Sequence, residues 1–366
     1  MPREKLRNNV KILHLIHKPQ NRGAETFACQ LASHQKRLKH DIKIVTVYNG
    51  KSKLPWIGPI GNLNGQEDQF FDWKAWKRLA KEIKDFQPDI VQANSGDTLK
   101  YSVISKRIFG WKTPIIFRNA SEVGQYLNQY FQKKFNTFLY RNIAAVASVS
   151  EKSRKDLIEH FPFLKLKTKV IPIGLEGELN IKPVEFSDEA DYNIVHVGGF
   201  TFEKNHEGLL RIFKKVVEKE SRTQLHLIGD GPLRIETEGL VREFGIEEYV
   251  TFYGFVNNPL DYIKASQLLI LPSNIEGLPG VLLEAMYCKT PVVAYDVGGI
   301  NEIINIETGT LVEKGNEKEF TNAILDNLKK INSSQIEKAY EMVTEKFINS
   351  KLAVEFLVFY KRVIGK

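Results

Sequence analysis

The chain has 366 residues, more than one hydrophobic core usually supports, so the sequence predicts two domains. Charged residues make up 26% and hydrophobic residues 42%, as in ordinary globular proteins. The formal net charge of +8 suggests an anionic partner, which would be nucleic acid, an anionic membrane surface or a phosphorylated ligand; a lysine-rich surface that only keeps the protein in solution is the alternative. Two cysteines, Cys29 and Cys288, exclude a disulfide framework. They favour a reducing cytoplasmic location, as does a first apolar run too short for a secretion signal.

Strand and helix patterns alternate through the first half of the chain. A helix pattern covers residues 25–38, and another begins at Trp73. The segments that predict strands are residues 10–16, 42–48, 89–93, 114–117, 145–149 and 169–173. Short apolar strands separated by helices are typical of a parallel sheet.

The pattern is interrupted at residues 174–192, which are polar and rich in turn residues, and this segment is interpreted as a linker. Alternation then restarts, with strands predicted at residues 193–198, 224–228, 250–253, 268–271 and 291–295. We therefore expect an N-terminal domain at 1–178, a C-terminal domain at 179–349, and a doubly wound parallel sheet in each. A last helix within 350–366 has one apolar face and could close either domain.

The stretch with the most candidate site residues is 268–304, where Glu276 and Glu284 lie on either side of a GLPG loop that leads into a helix. A loop glutamate and one a turn or so into the helix can both face the crevice at the carboxyl ends of parallel strands, where such sheets bind ligands. The helix start can also offer free N–H groups to an anion. Two glutamates alone decide little, but this setting favours a binding site.

Lys204 lies just before another predicted helix, after the strand that ends at Gly198. A diphosphate held between this lysine and the GLPG helix would be stabilised by one cation and one helix dipole. A solvated loop lysine is the alternative that the spacing leaves open. Further glycines follow the strands, among them Gly198-Gly199, Gly229, Gly231 and Gly298-Gly299, but none has the spacing of a dinucleotide fingerprint.

Several other classes of site are disfavoured. The eight histidines show no metal-binding spacing, and no GxSxG supports a serine hydrolase, so no metal is expected. Residues 188–191 have the sequence DEAD, which in a helicase would hold magnesium. They lie in the linker, and no phosphate-binding loop accompanies them, so a helicase is excluded. We therefore expect no nucleic-acid partner.

These motifs resemble those of the retaining glycosyltransferases of the GT-B fold, family 4, especially those that build bacterial capsule or exopolysaccharide. The matching segments in the second half are VGGFTFEKNH, LIGDGP, VTFYGFV, LPSNIEGLPGVLLEAM, TPVV and GGINEII. Weaker matches in the first half are RGAE, DIVQANSGD, ASVSE and VIPIG. The resemblance implies two Rossmann-like domains that face each other across a cleft.

The resemblance also implies residue roles. Glu276 would contact the transferred sugar, Lys204 would neutralise the leaving diphosphate, and Glu284 would accept hydrogen bonds from the ribose. The other donor-binding positions would border the base, leave room for the phosphates or let the first loop close: Gly23, Gly198, Gly199, Phe255, Val256, Gly277, Leu278, Pro279 and Gly280.

The sequence departs from the family pattern at several places, and three of these departures fall on candidate site residues. Gly199 stands where an arginine is usual, so one of two diphosphate cations is absent. Arg22 replaces the first glycine of a pair and could compensate in part. A histidine usual after the fourth N-terminal strand has no counterpart, and Arg118 and Asn119 stand there, which makes Arg22, Arg118 and Asn119 candidates on the acceptor side.

The function that this resemblance implies is transfer of a hexose from a nucleotide-diphosphate sugar, with a UDP-sugar as the expected donor, to a saccharide or lipid-linked acceptor with retention. No cofactor or metal is needed, because lysine and backbone dipoles supply the positive charge. A nucleotide-sugar epimerase, a phosphorylase and a non-catalytic sugar-binding protein are the alternatives.

A last segment, residues 126–141, mixes aromatic and basic side chains as a helix lying on an anionic membrane would. A helix packed into the core, with solvated lysines, is the alternative. The expected location is therefore cytoplasmic, with peripheral membrane attachment left open.

Overall fold

The computed structural model describes residues 9–365 except Asn21, Asp68, Phe70, Asn128, Gln129, Glu178, Asp188 and Glu189. The DEAD segment therefore lies partly outside the described residues, as do two residues near the start of segment 126–141. The chain forms two compact units, unit 1 comprising residues 1–176 with 349–366, and unit 2 comprising 177–348.

Unit 1 is built on a parallel sheet whose order in the described residues is β3-β2-β1-β4-β5-β6-β7. Its strands are β1 Lys11–Ile16, β2 Asp41–Thr46, β3 Ile60–Asn62, β4 Ile90–Ala93, β5 Ile115–Asn119, β6 Ala145–Ser148 and β7 Thr168–Val170. Its helices are α1 Gly23–Arg37, α2 Trp73–Phe86, α3 Gly96–Phe109, α4 Tyr130–Arg141 and α5 Glu151–His160, with α12 Asn349–Ile364.

Unit 2 has a parallel sheet of order β10-β9-β8-β11-β12-β13 in the described residues. Its strands are β8 Tyr192–Val197, β9 Thr223–Ile228, β10 Val250–Gly254, β11 Leu268–Leu271, β12 Val292–Tyr295 and β13 Thr310–Val312. Its helices are α6 His206–Val217, α7 Arg234–Phe244, α8 Pro259–Ala265, α9 Gly280–Tyr287, α10 Glu317–Lys329 and α11 Ser333–Lys346.

The two doubly wound parallel sheets confirm the fold class predicted from the sequence. Each sheet reverses its strand order at one place, because β1 lies between β2 and β4 and β8 lies between β9 and β11. The carboxyl ends of the two central strands at such a reversal form a crevice between the loops that follow them. In unit 2 those loops carry Lys204 and Glu276.

The last helix, α12, packs in unit 1. Its apolar face buries Leu352, Phe356 and Tyr360 in one core with Phe27 of α1 and with the sheet. This settles which of the two domains the helix closes, a question that its sequence left open, because α1 and β1 leave an apolar surface for it to cover.

No helix among the described residues is long and apolar enough to cross a membrane.

Candidate functional site

Lys204 and Glu276 are in direct contact. The Lys204 Nζ donates to Glu276 Oε1 at 2.6 Å across a separation of 72 residues. The side chains are 21% and 10% exposed, so the pair is partly desolvated yet accessible from one side. An ammonium and a carboxylate at this distance form a strong charge-assisted hydrogen bond. The two residues predicted to act on the sugar and the diphosphate therefore lie at one point.

Backbone contacts hold the two loops together. Asn205 adopts a left-handed conformation, caps α6 by accepting from the Gly208 N–H, and donates to the Pro272 carbonyl at 3.0 Å. The Asn274 N–H donates to the Glu203 carbonyl at 2.7 Å. Because these bonds lie on both sides of Lys204 in one loop and just before Glu276 in the other, contacts between the loops help to position the ion pair.

Gly298 supports the loop of Glu276 from behind. It has a φ of +57°, and a Cβ at this position would overlap the Glu276 carbonyl. The neighbouring Gly299 N–H donates to the Gly277 carbonyl at 2.6 Å. Only glycine allows this close approach at low cost. The sequence marked the glycine pair as a strand-end feature without showing what it supports.

Glu284 lies in the second turn of α9, partly buried. Burial raises the pKa of Glu284 to about 7, and the nearby positive charge of Lys204 offsets only part of this effect. Within the described part of the chain no group donates a hydrogen bond to this carboxylate. It is thus a carboxyl group that a ligand with hydroxyl donors would stabilise in the ionised form.

The start of α9 leaves N–H groups available. Pro279 precedes the helix and cannot cap it with a side-chain hydrogen bond, and Gly280 is its first residue. The first N–H groups of a helix have no partner within it and attract anions. Gly277 and Gly280 are partly exposed beside it, whereas Leu278 and Pro279 are buried.

Glycines at the ends of β8, β9 and β10 lie close to one another. A Cβ on Gly229, whose φ is +135°, would overlap the Gly198 carbonyl, and the Gly229 N–H donates to the Gly254 carbonyl at 2.8 Å. Gly199 is less crowded, since a Cβ there would come no closer than 3.6 Å to another atom. The predicted base neighbours differ in accessibility, because Phe255 is exposed and Val256 only partly so.

Two histidines lie buried behind Lys204, a feature that sequence reasoning missed. His206 stacks on Phe200 with ring centroids 4.0 Å apart and meets His196 edge to face at 5.0 Å. Burial, with the positive charge of Lys204, lowers the pKa of His196 to about 4 and that of His206 to about 2, so both are neutral. The VGGFTFEKNH motif contains His206 but gives no sign of its burial.

The candidates on unit 1 lie in different surroundings. Arg22 and Gly23 are exposed at the start of α1, and a Cβ on Gly23 would meet no atom within 4 Å. Arg118 and Asn119, expected on the acceptor side, are instead buried. Arg118 donates to the Ala24 carbonyl at 3.3 Å, and Asn119 donates to the Ser153 carbonyl at 3.2 Å.

Arg118 and Asn119 are buried because β5 lies inside the sheet with strands on both sides. The Arg118 guanidinium lies over the Phe27 ring at 5.0 Å, and burial lowers the pKa of Arg118 to about 10. These two side chains bond to the first turn of α1 and to the start of α5. Neither exposes a polar group to solvent.

Two family models match this chain, one in each half. The model for glycosyl transferases group 1 matches residues 178–342, and the model for glycosyltransferase family 4 matches residues 21–178. Each half of the chain therefore contains a segment similar to a glycosyltransferase domain. The group 1 match contains Lys204, Glu276 and Glu284, and the family 4 match contains the Arg22-Gly23 loop.

Curated relatives and solved structures agree with this assignment. The chain is 25% identical over 275 residues to the uncharacterized glycosyltransferase MJ1059 of Methanocaldococcus jannaschii, covering 70% of this chain and 65% of the relative. It is 29% identical over 251 residues to a Campylobacter jejuni N-acetylgalactosamine-N,N'-diacetylbacillosaminyl-diphospho-undecaprenol 4-alpha-N-acetylgalactosaminyltransferase, covering 66% of this chain and 67% of the relative. The chain thus spans about two thirds of the length of these relatives.

The crystal structure of Anabaena Alr3699/HepE in complex with UDP superposes with a TM-score of 0.78 at 19% identity, covering 95% of this chain and 98% of that one. At this level of identity the likeness is one of fold, and it agrees with the GT-B architecture of two parallel-sheet units.

Proposed function

We propose that this protein is a glycosyltransferase that transfers a hexose from a nucleotide-diphosphate sugar to a saccharide or lipid-linked acceptor, with retention, in the synthesis of a bacterial surface polysaccharide. The observation that carries the proposal is the contact of Lys204 with Glu276 at the strand-order reversal of unit 2, beside Glu284 and the start of α9. The relative named as acting on a diphospho-undecaprenol supports the acceptor class.

The charges that develop during the reaction suggest the roles of Lys204 and Glu276. When the bond between the anomeric carbon and the diphosphate oxygen breaks, negative charge grows on the phosphate and positive charge on the sugar ring. A bound diphosphate would compete with Glu276 for the Lys204 ammonium, which then neutralises the leaving group. The freed carboxylate, fixed by the Gly298 turn, lies near the sugar. In this structure Lys204 and Glu276 pair with each other.

Retention follows if the acceptor oxygen attacks from the face that the phosphate leaves. The acceptor hydroxyl then gives its proton to the departing phosphate oxygen while its oxygen bonds to the anomeric carbon, so no protein base is required. This accounts for the absence of the usual histidine near Arg118. In this scheme Lys204 and the α9 N–H groups supply the charge neutralisation, and transfer should survive EDTA.

The donor's nucleotide is assigned to unit 2 through Glu284. Its carboxylate would accept hydrogen bonds from the two ribose hydroxyls, and the exposed Phe255 ring would lie against the base. A UDP-sugar is the proposed donor. A thermal-shift screen against uridine, guanosine and adenosine diphosphates and their sugars tests this, because a ligand at 100 times its Kd adds about 2.7 kcal/mol of stability.

Transfer assays on Lys204→Ala and Glu276→Ala test the central claim. Each should lower kcat by at least about a hundredfold, since each removes charge stabilisation at the reacting atoms. Lys219→Ala and Glu218→Ala, which alter exposed charges at the end of α6, are the matched controls and should stay active. Full activity of either site variant with an intact fold would contradict the assignment. Incubation without acceptor should give no isomerised sugar, whereas an epimerase would give it.

Unit 1 is proposed to bring the acceptor from a membrane surface. Tyr130 and Phe131 of α4 are 68% and 78% exposed, and Lys133 and Lys134 beside them are exposed as well. Exposed aromatic and basic side chains on one helix favour an anionic bilayer. The protein should float with vesicles containing phosphatidylglycerol at low salt and not with phosphatidylcholine alone. Phe131→Ser should weaken flotation, and no binding to the anionic vesicles would refute attachment.

A further inference from the structure

A pocket lies on unit 1, lined by residues that do not belong to the candidate site described above. It opens between the carboxyl end of β3 and the start of α2 and has a volume of about 540 Å³. Pockets of this size hold small organic ligands. Its walls contain two kinds of side chain whose combination is informative, aromatic rings and carboxamides.

The aromatic wall consists of Phe71 and Trp73, which are 65% and 47% exposed. Both rings are held in place from behind. Phe71 meets Trp76 edge to face at 4.9 Å, and Trp73 packs on Phe109 at 5.1 Å. Large aromatic faces that are fixed and yet left open to solvent are a costly arrangement for a surface without a ligand.

The polar wall supplies donors and acceptors. Asn64, Gln66 and Gln69 are exposed there, and each carboxamide can both donate and accept hydrogen bonds. Lys74 and Arg78 add positive charge at the rim. Asp72 also lines the pocket, but its carboxylate is taken up by the Ala75 N–H, the Gln66 N–H and the Tyr101 hydroxyl.

Further hydrogen bonds within unit 1 hold the pocket in its open form before any ligand binds. Arg78 Nη1 donates to the Leu63 carbonyl at 2.7 Å, and the Gly65 N–H donates to the Val47 carbonyl at 2.9 Å. These contacts fasten the loop after β3 to α2 and to the end of β2. A binding surface that is already ordered loses little entropy when a ligand arrives.

We propose that this pocket binds sugar units of a saccharide acceptor that lie away from the newly formed bond. A pyranose ring has an apolar face of C–H groups, which would pack on Phe71 and Trp73, and an edge of hydroxyls, which would pair with the carboxamides of Asn64, Gln66 and Gln69. The assignment of the ligand as an acceptor rests on the proposed function. The assignment of the ligand as a saccharide does not depend on the proposed function, because it is argued from the aromatic and carboxamide side chains of the pocket.

Saturation-transfer NMR with maltohexaose and chitohexaose tests the pocket directly, without donor or turnover. At least one hexasaccharide should bind the full-length protein. Trp73→Ala should raise the Kd for that hexasaccharide by about tenfold or more, which corresponds to the loss of roughly one aromatic contact. Trp73→Phe should keep most of the affinity. Phe163→Ala, which removes an exposed aromatic ring elsewhere on unit 1, is the matched control.

Because Trp73 packs on Phe109, the double variant Gln66→Ala/Gln69→Ala provides a test that leaves the ring packing intact, and it should weaken binding as well. Lys204→Ala should lose transfer but bind the hexasaccharide normally, so failure of the pocket and failure of the proposed transferase are separable. Binding of neither hexasaccharide, or equal binding by wild type and both pocket variants, would overturn the proposal.

Discussion

Replacing Glu284 with glutamine should stabilise unit 2 at alkaline pH while weakening donor binding. Burial raises the pKa of this carboxyl from 4.5 to about 7. A folded pKa above the unfolded value means that the folded state holds the proton more tightly. The stability associated with the protonated form is therefore full below pH 4.5 and is lost as the pH rises through 7.

The magnitude follows from the two pKa values. At pH 8 the ionised carboxylate costs the folded state roughly 3 kcal/mol, and at pH 5 less than about 1 kcal/mol. Glutamine has no charge to bury. For a unit of this size each kcal/mol corresponds to about 2–4 °C in Tm, so Glu284→Gln should raise the Tm of unit 2 by roughly 6–12 °C at pH 8 and only slightly at pH 5.

Differential scanning calorimetry at the two pH values, without nucleotide, measures this difference. Glu243→Gln, an exposed carboxylate on α7 of the same unit, removes the same charge and should leave Tm almost unchanged at both. A Glu284→Gln protein that is no more stable than wild type at pH 8, or whose gain is the same at pH 5, would refute the argument from burial. With the donor nucleotide added, the variant should gain less stability than wild type, because two ribose hydroxyls lose an anionic acceptor.

Three further predictions concern the loops and the core. Gly298→Ala should lower transfer by at least about a hundredfold with little loss of fold, because its Cβ displaces Glu276; unchanged kcat in a steady-state assay would contradict this. Gly199→Arg should lower the donor KM several-fold, because it restores a cation for the diphosphate. The side chain has room, since a Cβ at this position would lie 3.6 Å from the nearest atom, and a raised KM would count against the prediction. Phe356→Ala should cost unit 1 about 3–5 kcal/mol, seen in calorimetry as a shift of one transition; a shift of the unit 2 transition would be the wrong outcome.

The sequence predicted most of the strands because parallel strands buried on both faces appear as short apolar runs. Residues 268–271, for example, were predicted as a strand and form β11. Two strands were missed, β3 and β13, each three residues long and at an edge of its sheet. Ile60–Asn62 contains a glycine and lies in a segment that looks irregular, so hydrogen bonds to β2, and not local preference, make it a strand.

For the candidate site, the sequence by itself supplied Lys204, Glu276 and Glu284 through their motif and the family it resembles. It could not show that Lys204 and Glu276 touch, since 72 residues separate them and only the pairing of β8 with β11 brings their loops together. It also made Arg118 and Asn119 candidates on the acceptor side, because they stand where the resembled family usually has a histidine. Their burial could not be predicted from the sequence, because it depends on β5 being an inner strand of the sheet and on the helices that cover it. Local composition determines which residues can form a strand or a loop, whereas burial, contact and charge pairing depend on what the rest of the chain packs against them.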